Sequence, residues 1–147
     1  MRSRIANHLD MPVLLNVAEK FCTESKWGWH FSAQNSEQSF NNMINHPECD
    51  VIIVETDDAV LLGVAVVSTE TDFQVETVGD INEFYVMPEA RGSGVGRFLL
   101  KAMCDWFDAR GCVNVFVKST ANIGQAAAFA NLFAKYNFKV FSSVLVR

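Results

Sequence analysis

The sequence predicts a mixed α/β domain in which helices cover both faces of a twisted sheet. The chain has 147 residues, half of them hydrophobic, which suffices for one packed core. Apolar residues recur at helical spacing in some segments and form short strand-like runs in others. The segments follow the order strand, two helices, a meander of strands, then alternating helices and strands, which is typical of such a domain. We expect residues 1–147 to form this single domain.

The N-terminal half begins with a predicted strand over residues 3–8. Asp10 is a suitable N-cap and Pro12 suits a first helical turn, so a helix is expected next, with its apolar residues at helical spacing. A short amphipathic helix around residues 40–44 ends before Pro47. Strand-like runs at residues 51–54 and 60–67, separated by a turn at 56–59, predict a hairpin.

The C-terminal half alternates strands and helices. A strand is predicted over residues 81–86, and a helix with one apolar stripe over 95–109. An alternating strand follows over residues 112–118, then a helix rich in Ala and Phe over 125–136. Residues 138–146 are predicted to close the chain as a strand.

Composition and charge exclude several function classes. The chain has 12 basic and 17 acidic residues, a net charge of −5, and this argues against nucleic-acid binding because phosphates require clustered Lys and Arg. No apolar run approaches the roughly 18 residues of a membrane span, and residues 1–10 carry no apolar signal core. The three His and four Cys form neither H-E-x-x-H nor C-x-x-C, so we expect free thiols, no metal site and a cytoplasmic protein.

A Gly-rich turn between the strand 81–86 and the following helix is the most informative segment. Three glycines occupy alternate positions, with two arginines beside them: Gly92, Gly94, Gly96, Arg91 and Arg97. Glycine permits close backbone approach, and the first N–H groups of a helix lie unpaired at its positive end. These features predict a cradle for a phosphate or diphosphate. The spacing matches neither the Rossmann fingerprint nor the P-loop, and a plain tight turn is the alternative.

The block around this turn resembles the signature of the GNAT N-acetyltransferase superfamily, V-x-P-x-x-[RQ]-x-x-G-x-[GA]. The matching residues are Val86, Pro88, Arg91, Gly94 and Gly96. The resemblance covers residues 3–138, and its specific part is 81–111. It implies a mostly antiparallel sheet with splayed central strands, flanked by helices on both faces.

The resemblance also implies that the turn binds acetyl-CoA as a co-substrate. Main-chain N–H groups from Arg91 to Gly96 would hold the diphosphate, which adds Gly92, Ser93, Gly94 and Val95 to the expected contacts. Free main-chain groups of Phe84 and Val86 would pair with the pantetheine arm, and an N–H near Val86 would stabilise the thioester oxygen. The acceptor would be a primary amine, either of a small molecule or of a protein.

An amine with a pKa near 10.4 is mostly protonated at neutral pH, so the reaction needs a proton acceptor. Asp80 and Glu83 lie on the strand that leads into the turn. Strand alternation places them on opposite faces unless a bulge intervenes, so one of them is expected to serve, and we favour Glu83. A solvated charge at the strand end is the alternative for each.

The general acid that the family resemblance implies for the CoA thiolate is missing from this sequence. Many family members place a Tyr five residues before the Phe of a Gly-Phe pair, but here that position holds Phe133, and Asn137 replaces the Gly. From the same correspondence, Phe133 and Asn122 are expected among the cofactor contacts. Water, Tyr85 or Tyr136 would have to substitute. Ala126 stands where an Asn is common, and Asn122 is the expected replacement. A non-catalytic acyl-CoA-binding or regulatory module is therefore the main alternative, and a partner-binding domain without cofactor is a further one.

The acceptor site is expected near the connection between the first two helices. Trp27, Trp29 and His30 lie there and would form a wall for a cationic or apolar acceptor, with ordinary loop packing as the alternative. His30 is a second candidate base. Little chain remains after Phe138, so an exposed sheet edge is expected, and a homodimer would cover it.

Overall fold

The computed structural model describes residues 1–25, 28–71, 73, 76–118 and 123–140, and these form a five-stranded sheet with helices on both faces. The strands are β1 (Arg2–Ile5), β2 (Cys49–Glu55), β3 (Leu61–Thr71), β4 (Thr77–Val86) and β5 (Asn114–Val117). The helices are α1 (Met11–Glu24), α2 (Ala33–Asn45), α3 (Val95–Ala109) and α4 (Ile123–Ala134). The predicted mixed α/β class is confirmed. None of the helices in the described ranges is long and apolar enough to cross a membrane.

The strands are ordered in the sheet as they are in the chain, from β1 to β5. The first four pair antiparallel, which confirms the hairpin between β2 and β3. β5 pairs parallel to β4, as it must because α3 carries the chain back across the sheet between them. Among the described residues, β5 pairs with β4 from Val78 to Ile81 and no further, and the splayed central strands that the family resemblance implied begin at this point.

The two faces of β3 and β4 contact different helices. A Cβ atom built on Gly63 would lie 3.3 Å from Val95 and 3.4 Å from Leu99, so this face of β3 packs against α3. Val64 and Val66 point to the opposite face, where α1 and α2 lie, because side chains alternate along a strand. The buried apolar stripe of α3 and the continuous apolar runs of β2 and β3 form the core between them.

The predicted bounds need correction in the N-terminal half. The first strand ends at Ile5, not at residue 8, because Asn7 caps a short 3-10 turn by accepting a hydrogen bond from the N–H of Leu9. Asp10 lies at the N-cap position of α1 as predicted, but its side chain makes no capping hydrogen bond, since its carboxylate binds Arg4 and the Asn7 N–H instead. The second helix starts well before residue 40, because the Ser32 side chain caps it at Asn35.

The C-terminal half also differs from the prediction in places. β3 and β4 are longer than predicted and extend to Thr71 and from Thr77. α4 begins and ends two residues earlier than predicted. The predicted last strand is not seen at residues 138–140, which have no regular secondary structure, and its remainder lies outside the described residues.

The C-terminal end of α3 is fastened to β2. The Trp106 indole N–H donates to Asp50 Oδ2 at 2.7 Å, and the Arg110 guanidinium reaches the same oxygen at 2.9 Å. The guanidinium also lies 3.6 Å from the centre of the Trp106 ring, a cation–π contact. The Asp50 carboxylate thus binds both the Trp106 indole and the Arg110 guanidinium at the C-terminal end of α3.

Glu55 at the end of β2 is the centre of a charge network. Its side chain is 3% exposed, and it accepts hydrogen bonds from Arg2 and Arg4. Arg4 bridges Glu55 to Asp10, with its Nη2 at 2.7 Å from Asp10 Oδ1. The Arg4 guanidinium lowers the pKa of the Glu55 and Asp10 carboxyls below their ordinary values, chiefly through these hydrogen bonds.

We expect Glu55→Gln to destabilise the fold by about 2 kcal/mol, because the two arginines lose the charge that compensates them. The loss of stability is smaller than expected for a fully buried ion pair, because Arg2 and Arg4 are partly exposed. Because the folded pKa values are lowered, the network stabilises the protein above about pH 4 and this contribution is lost as the pH falls further. Denaturant titration at several pH values measures both effects.

The variant should show a weaker pH dependence below pH 5 than the wild type. Glu37→Gln on the exposed side of α2 is the control and should leave the free energy of unfolding unchanged. Equal losses in the two variants would contradict the role given to Glu55.

Candidate functional site

An open strand edge lies in the middle of the sheet where β5 parts from β4. The Met87 N–H donates to the Leu62 carbonyl at 2.9 Å. Main-chain groups alternate in direction along an antiparallel pair, so those of Phe84 and Val86 turn away from β3 and toward the open edge. The two residues therefore lie where a ligand could pair with them as an added strand, although the Val86 carbonyl already accepts a hydrogen bond from Arg91 Nε at 3.0 Å.

A first cavity of about 340 Å³ lies along this edge. Residues 81–86 form one wall, the turn before α3 closes one end, and α4 contributes Ala128, Phe129 and Leu132. The end of α1 contributes Phe21 and Glu24. The cavity runs from the Gly-rich turn along the unpaired backbone of β4.

The Gly-rich turn presents a row of main-chain N–H groups. Gly92 and Gly94 have φ values of +80° and +91°, in the left-handed region that favours glycine, and α3 begins directly after them. The first helical bond runs from the Phe98 N–H to the Gly94 carbonyl. Within the described part of the chain, the N–H groups of residues 92–97 have no protein acceptor. This geometry suits an anion at the positive end of α3.

Gly96 serves a different purpose from the two glycines before it. A Cβ atom at this position would lie 3.3 Å from Leu132 and 3.8 Å from both Phe84 and Val86. The missing side chain therefore lets the first turn of α3 approach α4 and β4 closely. Gly96 lines the first cavity as a consequence of this packing.

A second cavity of about 300 Å³ lies on the other face of β4, under α1 and α2. Phe21, Glu83 and Tyr85 line both cavities. The two spaces thus meet at the strand that leads into the Gly-rich turn, and Glu83 is the acidic side chain shared between them.

A bulge in β4 places both candidate carboxylates on one face of the sheet. Val66 pairs with Glu83 and Val67 with Ile81, so Asn82 is an extra residue, and its amide donates to Ser68 Oγ at 2.7 Å. Glu83 and Asp80 therefore both point toward α1 and α2. Of the two, Glu83 lines the cavities and Asp80 does not. Desolvation by the surrounding protein raises the pKa of Glu83, although the open cavities leave its carboxylate within reach of solvent.

Arg91 ties the turn to the end of α1. Its Nη2 lies 2.7 Å from Glu24 Oε2, and its Nε donates to the Val86 carbonyl at 3.0 Å. The Tyr85 hydroxyl donates to the other oxygen of Glu24 at 3.2 Å. Desolvation, together with the Glu24 charge, raises the pKa of Tyr85 to about 12. Arg91 and Tyr85 share one carboxylate at the mouth of the first cavity.

The structure brings half of the predicted cofactor contacts to the first cavity. The cofactor contacts that line it are Phe84, Val86, Arg91, Gly92 and Gly96, and the predicted base Glu83 lines it as well. Ser93 and Gly94 lie in the turn and Val95 begins α3, but none of the three lines this cavity. The Ser93 hydroxyl donates to the Ala90 carbonyl at 2.6 Å. Asn122 lies outside the described residues.

Phe133 is not at the cavity surface. It is 2% exposed, its ring stacks on Phe129 at 4.2 Å, and it packs edge-on against Phe84 and Phe138. Phe129, one helical turn earlier, lines the cavity instead. Sequence reasoning missed Phe129, although its spacing of four residues from Phe133 places both on one side of α4.

The predicted acceptor residues have different positions. His30 lines the second cavity. Trp29 is 45% exposed and packs against the Phe21 ring at 5.6 Å, outside the lining of either cavity. Trp27 lies outside the described residues. Tyr136, one of the two substitute acids, donates to the Arg97 carbonyl at 3.4 Å.

A family model described as the acetyltransferase (GNAT) family matches residues 14–138 of this chain. The chain belongs to the GNAT acetyltransferase family. No curated protein matches it in sequence. The fold of this GNAT protein is shared with many solved structures of low sequence identity, and three of them illustrate this similarity.

A structure titled as a probable acetyltransferase has a TM-score of 0.84 and 18% identity, covering 100% of this chain and 97% of that one. An aminoglycoside antibiotic 6'-N-acetyltransferase from Acinetobacter haemolyticus has a TM-score of 0.80 and 16% identity, covering 100% and 97%. A GNAT family acetyltransferase from Staphylococcus aureus has a TM-score of 0.76 and 14% identity, covering 99% and 96%. At these identities the likeness establishes the fold alone.

We expect Gly94→Ala to weaken the binding of coenzyme A about tenfold or more, because Ala resists a φ of +91° and the turn amides then lose their alignment. Gly111→Ala is the matched control, since Gly111 also has a positive φ, +69°, but lies beyond the other end of α3. Both variants should lower the melting temperature by a few degrees. Isothermal calorimetry should show weaker binding in Gly94→Ala alone. Unchanged affinity in that variant would contradict the anion-binding role of the turn.

Proposed function

We propose that this GNAT protein transfers the acetyl group of acetyl-CoA to a primary amine by direct attack of the amine on the thioester. The observation that carries the proposal is the meeting of two cavities at Glu83. One cavity suits a nucleotide-linked thioester, the other suits an amine, and a carboxylate with a raised pKa lies between them.

The first cavity fits acetyl-CoA, the co-substrate that GNAT enzymes generally use. The amides of residues 92–97 offer hydrogen bonds to a diphosphate, and the main-chain groups of Phe84 together with the Val86 N–H offer hydrogen bonds to an extended amide chain. When bound, acetyl-CoA supplies an activated acyl group whose carbonyl carbon an amine can attack. An N–H at the end of β4 would stabilise the carbonyl oxygen as negative charge develops on it.

Glu83 is the base in this proposal. The attacking amine must lose a proton, and Glu83 accepts it directly or through a water molecule in the open cavity. A base works best when its pKa lies near the operating pH, and desolvation moves the pKa of Glu83 in that direction. Asp80 lies on the same face but away from both cavities, so it is not assigned this role.

Solvent protonates the leaving thiolate in this proposal. A thiol has an ordinary pKa of about 8.5, so a thiolate is a tolerable leaving group without an acid beside it. Tyr85 with a pKa of about 12 is a weaker acid than this thiol, so proton transfer from Tyr85 to the thiolate is unfavourable. Tyr85 instead orients Glu24 by a hydrogen bond.

A non-catalytic acyl-CoA-binding module is the second candidate, and Phe133 favours it. Many family members carry a Tyr acid at the corresponding position, and a buried phenyl ring cannot donate a proton. The two candidates differ in one measurement. Both predict that acetyl-CoA binds, and only the enzyme releases coenzyme A faster in the presence of an amine.

We expect Glu83→Gln to lower kcat at least about a hundredfold with an unchanged Kd for acetyl-CoA, because the amide cannot accept the proton of the amine. In the wild type, kcat/KM should fall as the pH drops through the raised pKa of Glu83, since the base must be ionised. This acidic limb should be absent in the variant. Coenzyme A release, followed with a thiol reagent across a pH series and a panel of amines, measures both.

Asp80→Asn is the control for this experiment because it removes the same charge from the same face of β4. It should retain kcat within a few fold. A larger loss in Asp80→Asn than in Glu83→Gln would assign the base to Asp80. Binding of acetyl-CoA without amine-dependent release in the wild type would favour the non-catalytic module.

A further inference from the structure

We infer that the acceptor is a small amine with a single positive charge and an apolar body, such as an arylalkylamine or a branched alkylamine. This inference rests on the proposed function and concerns the second cavity. Three features of that cavity carry it: the number of acidic side chains, the chemistry of the walls and the volume.

Negative charge in the second cavity is limited to one side chain. Among the described residues that line it, Glu83 alone is acidic. Glu24, the acidic residue of α1 that lines the first cavity, already accepts hydrogen bonds from Arg91 and Tyr85. An acceptor with several ammonium groups would therefore bring charges into the cavity that no carboxylate compensates, and such charges are costly to desolvate.

The walls of the cavity are apolar on three sides. α1 contributes Val17 and Phe21, α2 contributes Phe40 and Met43, and the floor is formed by β3. Burying an apolar substituent against these walls is favourable by about 25 cal/mol for each Å² removed from water. Hydrated polyamines and sugars gain little from such surfaces, whereas phenyl or branched alkyl groups match them.

The remaining wall is polar, contains no acidic side chain, and includes His30 beside the polar residues of α2. Ser32, Asn35, Ser36 and Ser39 lie along the first turns of α2 and face the same space. These side chains offer hydrogen bonds to a neutral group and supply no counter-charge for a second ammonium. They orient an acceptor without selecting a polycation.

The volume of about 300 Å³ sets a limit on size. Ligand pockets commonly range from about 300 to 1,000 Å³, so this cavity is at the small end. A compact amine fits with its amino group at Glu83, where the first cavity begins. The net charge of −5 alone would have allowed a polycationic acceptor, and the second cavity argues against it.

The test compares amines of matched reactivity in the coenzyme A release assay. Phenethylamine and isoamylamine represent the inferred class, spermidine and kanamycin represent polycations, and Nα-acetyl-lysine amide represents a protein amine. We expect kcat/KM for phenethylamine to exceed that for each of the other classes at least about tenfold. A higher kcat/KM for spermidine, kanamycin or the lysine amide overturns the inference and leaves the proposed function intact.

A second test changes the cavity itself: a variant with one added carboxylate in the cavity should alter which amines are preferred. Ser36→Asp adds one carboxylate to the α2 wall and should raise kcat/KM for cadaverine relative to isoamylamine about tenfold. Gln38→Asp is the matched control, since it adds the same charge to α2 at an exposed position outside the cavity lining. Equal shifts in the two variants overturn the inference, because the selection would then arise from overall charge.

If no amine stimulates coenzyme A release, the proposed function is wrong. In that case, calorimetric titration of the protein with phenethylamine tests the inference about the second cavity separately. Phenethylamine binding that is at least about tenfold weaker in Glu83→Gln supports the assigned cavity. No binding of phenethylamine to the wild type, or binding that Glu83→Gln does not change, overturns it.

Discussion

In the part of the chain that the structure describes, β5 separates from β4 beyond Ile81 and leaves main-chain groups without strand partners in the middle of the sheet. Such groups are costly to bury, so the fold keeps them at a cavity where solvent or a ligand satisfies them. The turn, α3 and α4 are arranged around this opening, and Gly96 allows α3 to come close enough to α4 to line it. A splayed sheet thus gives one chain both a stable core and an extended binding edge.

The bulge at Asn82 converts this edge into a two-sided site. Without the extra residue, Glu83 and Asp80 would lie on opposite faces, and strand alternation would turn Glu83 away from α1 and α2. With it, Glu83 and Tyr85 share the face that α1 and α2 cover, while Phe84 and Val86 face α3 and α4. A single inserted residue therefore gives one strand an apolar face toward α3 and α4 and a carboxylate on the face that α1 and α2 cover.

Elements whose local sequence carries one strong physical signal were predicted correctly from the sequence. The stripe of α3 and its terminal glycine predicted Val95–Ala109 without error, and the Gly-rich turn predicted the unpaired amides. The start of α2 was missed because its first turn is polar and Ser32 was not recognised as its cap. The bulge and the burial of Phe133 depend on pairing with distant segments, which periodicity in one segment cannot reveal.

The fastening of α3 at its far end has a consequence for ligand affinity. Trp106 and Arg110 hold the helix to Asp50, so the helix and the amides at its other end are set in place when the chain folds. The turn is preorganised, and a ligand does not have to spend binding energy on ordering it. The proposed diphosphate site at the turn therefore depends on the whole length of α3, and we expect loosening of the contacts at Asp50 to weaken it from the opposite end of the helix.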